Sequence, residues 1–197
     1  EKYAAAVKKG DTEEMKKYAA RSTRLTKEMI IDAKEVVEAL GLPAIQAPSE
    51  GEAQAAHMVA KNDAYVIASQ DADSLLFGAT RAVRNLSVEG RRKQAGVLGY
   101  SHAEPELILL GEVLSSLGVT QQQLICLAML VGTDYNTGGI KGIGPKTALK
   151  LVKEHKTPAN IFTAAEWDKH FSYPWQEVLE LFEHPQLTDG YEMKFRT

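Results

Sequence analysis

The sequence of 197 residues holds a single cysteine, which excludes an intramolecular disulfide framework. Cys126 lies in the apolar run LICLAML and reads as a small buried hydrophobe, pointing to a reducing compartment. No apolar run approaches the roughly 20 residues of a membrane-spanning helix, so no membrane partner is expected. The five histidines show no metal-ligand spacing, and there is no internal repeat or low-complexity tract. A strong charge of either sign is missing too. The net charge of -3 argues against a generic polyanion binder. There is no initiator methionine: the chain starts at Glu1, in a stretch that already reads as helix, so a fragment of a longer protein is expected.

What is present is ordinary in bulk. Hydrophobic content of 44% and charged content of 25% suit a globular protein with one good core, or one core plus a satellite subdomain. Asp11 follows Gly10 and is placed to cap a helix. Residues 12–40 then read as helix. The first half is Ala-, Lys- and Arg-rich. The second carries a helical stripe of Met29, Ile30, Ala33, Val36, Val37 and Leu40 that is expected to dock on a core before Gly41 and Pro43 end the helix. LPAIQ reads as a short strand. Ser49, with Glu52 three residues on, has capping-box spacing for the next helix. AYVIAS reads as a buried parallel strand, AVRNLS as another strand, and VEGRRKQAG as a basic turn. Helices follow near 104–116 and 120–131, then a glycine hairpin, a helix from Pro145 to about His155, and two short helical stretches. Strands thus precede an all-helical part.

Five carboxylates stand at element ends. Glu50 and Glu52 open a helix, Asp71 and Asp73 follow a core strand, and Asp134 follows the helix ending at Val131. The C-terminal edge of an open α/β sheet is where ligands bind. Taken singly, each pair has an ordinary explanation in capping or turn chemistry. Taken jointly they fit hard divalent cations, which want oxygen ligands. Two such ions roughly 3.5–4 Å apart suffice for phosphodiester hydrolysis without a His or Ser nucleophile.

The stretch GTDYNTGGIKGIGPKTALKLVKEH packs glycines more densely than an ordinary helix–helix turn needs. Gly138, Gly139, Gly142 and Gly144 permit close approach to the backbone, and Pro145 suits a first helical position. Exposed N–H groups at that helix start make a phosphate site. Lys146 and Lys150 lie one turn apart, and Lys141 to Lys156 hold five lysines against Glu154 alone. Such a hairpin grips a nucleic-acid backbone without reading sequence.

APSEGEAQAA, SQDADSLLFG, VGTDY and IKGIGPKTALKLV, in this order and at these separations, resemble the flap endonucleases, structure-specific 5′ nucleases of the XPG/Rad2 group, in their archaeal form. The resemblance spans nearly the whole chain. It implies an α/β fold: a PIN-like 5′ nuclease core with a mostly parallel central sheet flanked by helices, incomplete at the N-terminus, and a C-terminal all-α helix–turn–helix region. The domains expected are 1–100, with a remnant of a helical arch at about 1–26, and 101–197, with the DNA-binding helix–hairpin–helix at about 120–155. By resemblance Glu50 and Glu52 help hold a first metal, and Asp71, Asp73 and Asp134 hold a second. Gly142, Gly144, Lys146, Thr147 and Lys150 grip duplex DNA, and Lys16, Lys17, Arg21 and Arg24 of the arch face phosphates.

The implied cofactors are two Mg²⁺ ions, with Mn²⁺ able to substitute, and a K⁺ ion at the hairpin near Gly139. The implied partners are branched or flapped DNA, an N-terminal piece of the same protein that brings two further carboxylates, and a sliding clamp whose binding motif is not in this sequence. The location implied is cytoplasmic for an archaeal protein and nuclear for a eukaryotic one. The expected reaction is two-metal hydrolysis of a phosphodiester at a single-strand/double-strand junction. An inactive DNA-junction-binding module and an RNA-cleaving relative on the same core are the alternatives. Trp167, Phe171 and Trp175 read as packing residues of the last helices.

Overall fold

The computed structural model describes residues 8, 10–12, 14–15, 25–86, 91–93, 100–102 and 104–195. The arch residues Lys16, Lys17, Arg21 and Arg24 lie outside the described residues. The chain forms two compact units, Glu1–Ile45 with Glu192–Thr197, and Gln46–Tyr191.

In the first unit, Asp11 accepts a bond from the Glu14 amide at 2.9 Å and caps its turn, as its place after Gly10 suggested. Helix α1, Lys27–Ala39, starts at Thr26, whose hydroxyl accepts from the Met29 amide. It stops where Gly41 takes a φ of 80° and its amide turns back to the Glu38 carbonyl. The apolar stripe was expected to dock on a core. No residue of α1 is buried, and Met29, Ile30, Ile31 and Val36 stand exposed. The periodicity is real, but among the described residues it meets no core. LPAIQ likewise forms no strand, because no ladder partner lies beside it among the described residues.

In the second unit, α2 spans Gly51–Ala60 and turns Ala53, Gln54, Ala56, Met58 and Val59 inward. Of the expected strand 64–69 only β1, Ile67–Ala68, is laddered. It pairs in parallel with β2, Arg81–Arg84, through Ile67↔Ala82 and Ala68↔Val83. A 3₁₀ turn, Asp73–Leu75, fills the crossover. A hairpin of β3, Arg91–Lys93, and β4, Tyr100–His102, occupies part of the stretch read as a basic turn and its sequel. The expected helix near 104–116 begins later than read. Glu106–Leu109 is strand β5, antiparallel to β2 with Arg81↔Leu109, and the helix starts only at Leu110. The free edge of β2 needs hydrogen-bond partners, and the extended form of these four residues supplies them. The fold is α/β as expected, with a sheet ordered β1-β2-β5 that is mixed where a mostly parallel one was anticipated.

The helical part follows its sequence signals closely. Helix α3, Leu110–Leu117, ends at Gly118 with a φ of 63°. Helix α4, Gln121–Val131, opens on a full capping box between Thr120 and Gln123. Helix α5, Pro145–His155, has Gly144 at the cap and Pro145 in first position. Helix α6, Pro158–Ala164, a 3₁₀ turn at Trp167–Lys169 and α7, Trp175–Glu183, complete it. Ile125, Cys126, Met129 and Leu130 of α4 form the core with Ala148 and Val152 of α5, Ile161 and Phe162 of α6, and Val178, Leu179 and Phe182 of α7. Leu75, Leu76 and Ala82 from the strand part join the same core.

Cys126 is fully buried, and desolvation pushes its thiol up to about 12, which leaves it inert as a nucleophile. Trp167 is 1% exposed and donates to the Tyr173 carbonyl at 2.8 Å; Phe171 packs on it at 4.3 Å, and Trp175 stacks on Phe162 at 5.1 Å. The three aromatics are packing residues, as read. Among the described residues no single helix is long and apolar enough to cross a membrane.

A final strap fixes α2. The Gln54 side chain exchanges two 2.9 Å hydrogen bonds with the Thr188 backbone, and His57 and Lys61 both hold Asp189, at 2.8 and 2.7 Å. The segment 188–189 is thus bound to the helix that carries Glu50 and Glu52 at its start.

Candidate active site

The start of α2 departs from its predicted cap. Ser49 was expected at the N-cap with Glu52 completing a capping box. The N-cap is Glu50, with φ -72° and ψ 127°, and it makes no side-chain cap bond. Neither carboxylate is spent on the helix end. Glu52 instead accepts a 3.0 Å bond from the Ser69 hydroxyl, just past β1. Ser69 also accepts from the Asp71 amide at 3.0 Å, and Asp71 accepts from the Ala72 amide at 2.8 Å. This tight sequence of side-chain-to-backbone bonds shapes the turn that leads into the 3₁₀ turn headed by Asp73.

Asp134 is positioned by a different device. Asn136 is 1% exposed, donates to the Met129 carbonyl at 2.6 Å and accepts from the Thr133 hydroxyl at 2.6 Å. That buried amide folds the chain after α4 back on the helix end. The fold is tight: a Cβ on Gly139 would lie 2.2 Å from the Val131 carbonyl oxygen, and its φ is 58°. Only glycine fits there. Gly139 is also the place near which the resemblance implies a K⁺ ion.

These three segments converge. Glu50, Glu52, Asp71, Asp73 and Asp134 line one cavity of about 50 Å³, closed by Phe77, Tyr135 and Phe182. A water needs roughly 10–15 Å³ on such a measure, so the space suits a few waters or small ions. Among the described residues none of the five carboxylates is in a salt bridge. Burial, then repulsion from Asp71, Asp134 and Glu50, raises the Asp73 carboxyl above its ordinary value. Burial also raises Glu52; the Ser69 bond opposes this, and Asp71, Asp73 and Glu50 add to it. Tyr135 is pushed up to about 12, chiefly by burial and then by Glu50, so it remains a proton donor. The cavity therefore gathers acidic groups with no cation among the described residues paired to them.

The donor set is all hard oxygen, which suits Mg²⁺ or Mn²⁺ and not a thiophilic ion. Among the described residues no three His, Cys, Asp or Glu side chains close on one point as a metal-binding group. A Mg²⁺ ion needs only one or two direct carboxylates and keeps several waters, so a looser ring is compatible with it.

The hairpin residues are exposed. Gly142 has a φ of 90°, Gly144 caps α5, and Lys146, Thr147 and Lys150 are solvent-facing. Lys146, Leu149, Lys150, Lys153 and Glu154 line a shallow groove of about 490 Å³.

Phe77, Tyr135 and Phe182, which line the acidic cavity, and Ser69, which bonds Glu52, were not singled out from sequence. Tyr135 lies next to Asp134 and Ser69 two before Asp71, so adjacency was the signal available. Phe182 had none, since it arrives from α7 far along the chain.

Comparison with known proteins finds similarity along the chain. Residues 41–134 match the XPG I-region. The chain is 52% identical over 196 residues to flap endonuclease 1 of Thermococcus onnurineus, covering 100% of this chain and 56% of that protein. Against flap endonuclease 1 of Pyrococcus furiosus it is 50% identical over 196 residues, with the same coverage of 100% and 56%. The chain is thus similar to flap endonuclease 1 along its whole length, and the XPG I-region match lies within that similarity. The fold agrees as well. The flap endonuclease-1 structure from Methanococcus jannaschii superposes with a TM-score of 0.75 at 40% identity, covering 97% of this chain and 55% of that one. The catalytic core of Rad2 superposes with a TM-score of 0.69 at 26% identity, covering 87% and 64%. The chain spans about half the length of the curated proteins it matches.

Proposed function

We propose that the chain is the metal-holding and duplex-gripping part of a structure-specific 5′ flap endonuclease, which hydrolyses a phosphodiester at a single-strand/double-strand junction during DNA replication and repair. The observation that carries this reading is the cavity itself: five carboxylates from three distant segments, unpaired by any described cation. Glu50 and Glu52 would hold one divalent cation and Asp71, Asp73 and Asp134 a second, with Mg²⁺ the natural ion and Mn²⁺ able to replace it. Such ions, when bound, activate a water and take up charge on the phosphodiester oxygens. Ser69 orients Glu52 for this work and ties it to the turn that bears Asp71. Phe77 and Phe182 close one side of the cavity against bulk water. Gly142, Gly144, Lys146, Thr147 and Lys150 would hold duplex phosphates, and Gly139 would lie beside a K⁺ ion. The relatives' title, flap endonuclease, supports branched DNA as the substrate class. A sliding clamp, an N-terminal piece with further carboxylates, and an archaeal cytoplasm are the setting proposed for the whole protein.

A second reading is a DNA-junction-binding module that does not cut by itself. It is supported by the loose ring, in which no three described carboxylates close on one point. One experiment separates the two. A fluorescent 5′-flap DNA is incubated in Mg²⁺ with this chain, with the full-length protein, and with full-length Asp73→Ala and Asp134→Ala. Cutting by the full-length protein that both substitutions abolish, with DNA binding retained, supports the nuclease. Binding without cutting by every form supports the module. Cutting that survives both substitutions refutes the cation-holding assignment.

A further inference from the structure

Glu50 has an unusual position for a residue asked to hold a cation. It sits at the cap of α2, outside the helix proper, and makes no cap bond. Among the described residues it has no ion pair, and its neighbours in the cavity are four other carboxylates. Ordering a free glutamate side chain costs rotamer entropy. Repulsion would swing it outward. Yet one donor reaches it: the Tyr135 hydroxyl lies 3.2 Å from Glu50 Oε1, across 85 residues of sequence.

Tyr135 is itself held firmly. Its ring meets Phe182 edge-on, at 5.1 Å and 78°, and Phe182 lies 5.2 Å from Phe77. The Tyr173 hydroxyl donates to the Tyr135 carbonyl at 3.3 Å. The backbone is fixed on either side of the turn by Asn136, whose amide binds the end of α4. A phenol has two side-chain torsions and a rigid ring, so these contacts define where its oxygen sits. Its bond to an ionised carboxylate is charge-assisted.

We infer that Tyr135 is a positioning residue, whose hydroxyl holds the Glu50 carboxylate toward the cavity and whose ring transmits the placement of α7 to that carboxylate. The inference rests on the proposed cation-holding role of the five carboxylates. It assigns the last helix, remote from the acidic motifs, a part in ordering one of them. Partners of this kind behind metal-ligating groups typically change metal affinity by about 10–100-fold when removed. The bond is at the long end for an O–H donor, so the low end of that range applies.

The test measures Mn²⁺ affinity by calorimetry and by the loss of free-Mn²⁺ paramagnetic signal, on the full-length protein without DNA. Tyr135→Phe keeps the ring and deletes only the hydroxyl. It should weaken Mn²⁺ binding about tenfold while the metal-free melting curve stays in place. In the Glu50→Gln background the same substitution should have no further effect on Mn²⁺, because the carboxylate that the hydroxyl positions is already gone. Phe182→Leu, which retains the hydroxyl but loosens the ring, should weaken Mn²⁺ by a smaller factor. If Tyr135→Phe binds Mn²⁺ as well as the parent, or its loss simply adds to that of Glu50→Gln, the positioning role is overturned and the cation site stands. If the parent itself binds no Mn²⁺, the cation site and this inference both fall.

Discussion

The Ser69 hydroxyl donates to Glu52 at 3.0 Å and accepts from the Asp71 amide at 3.0 Å. One small side chain thus links the carboxylate pair on α2 to the pair that follows β1. The link sets the ionisation of Glu52 as well as its direction. The Ser69 bond lowers the Glu52 pKa against the larger effect of burial. Removing the hydroxyl in Ser69→Ala should let burial and repulsion act unopposed. The acid limb of the pH–rate profile for flap cutting should then move to higher pH, with activity at alkaline pH much less affected. An acid limb that stays put, or moves lower, would refute the assignment.

The raised Glu52 and Asp73 carboxyls also predict how stability depends on pH and metal. Between their ordinary and raised values the folded protein binds more protons than the unfolded chain. Stability contributed by this cluster therefore falls as pH rises through that window. A divalent cation offsets the same repulsion. At a Mg²⁺ concentration 100 times its dissociation constant, about 2.7 kcal/mol is added, a rise in melting temperature of about 5–10 °C for a chain of this size. The rise should be full at pH 8 and smaller near pH 4, where protons compete with the cation for the raised Glu52 and Asp73 carboxyls. Scanning calorimetry with Mg²⁺ and with EDTA at both pH values checks it.

Lys146 is exposed one residue into α5, beside the glycines of the hairpin. Lys146→Ala should weaken binding to duplex DNA of any sequence about equally. It should also flatten the dependence of log affinity on log salt by about one unit. Fluorescence anisotropy across a salt series reads both. A loss confined to some sequences would contradict a backbone contact.

Gly139 tests how strictly the turn after α4 is built. A methyl there would meet the Val131 carbonyl oxygen at 2.2 Å, backbone that cannot move without unseating the end of α4. Positive φ adds its own penalty of about 1 kcal/mol for a side chain. Gly139→Ala should cost at least about 2 kcal/mol, seen as a melting temperature lower by about 4–8 °C, and should displace Asp134. Gly142→Ala has only its φ of 90° against it, with open space around the site, and should cost less.

Much of the helical half was legible in the sequence because its signals are local. A capping box, a proline in first position and glycines at helix ends act within a few residues, and α4 and α5 follow them. The motifs that carry the resemblance are likewise contiguous, so the five carboxylates could be named one by one. The sheet was harder. Residues 107–109 are apolar and lead straight into a helix, and only the open edge of β2 makes 106–109 a strand. The α1 stripe shows the reverse: its periodicity specifies an amphipathic helix but not what covers the face.

The acidic site divides the same way. Sequence order determined which carboxylates the chain possesses and that each stands at the end of an element, since those properties depend on neighbours along the chain. Which of them face one another depended on packing. The capping box at Ser49 and Glu52 was a sound local reading, and it lost to a hydroxyl seventeen residues away. Tyr135 reaches Glu50, and Phe182 reaches Tyr135, only because α4, α5 and α7 share a core. Bonds across 85 residues leave no periodic trace in a sequence, because either partner would look the same beside a different one. The local chemistry is written in the chain; the cavity that unites it is a property of the fold.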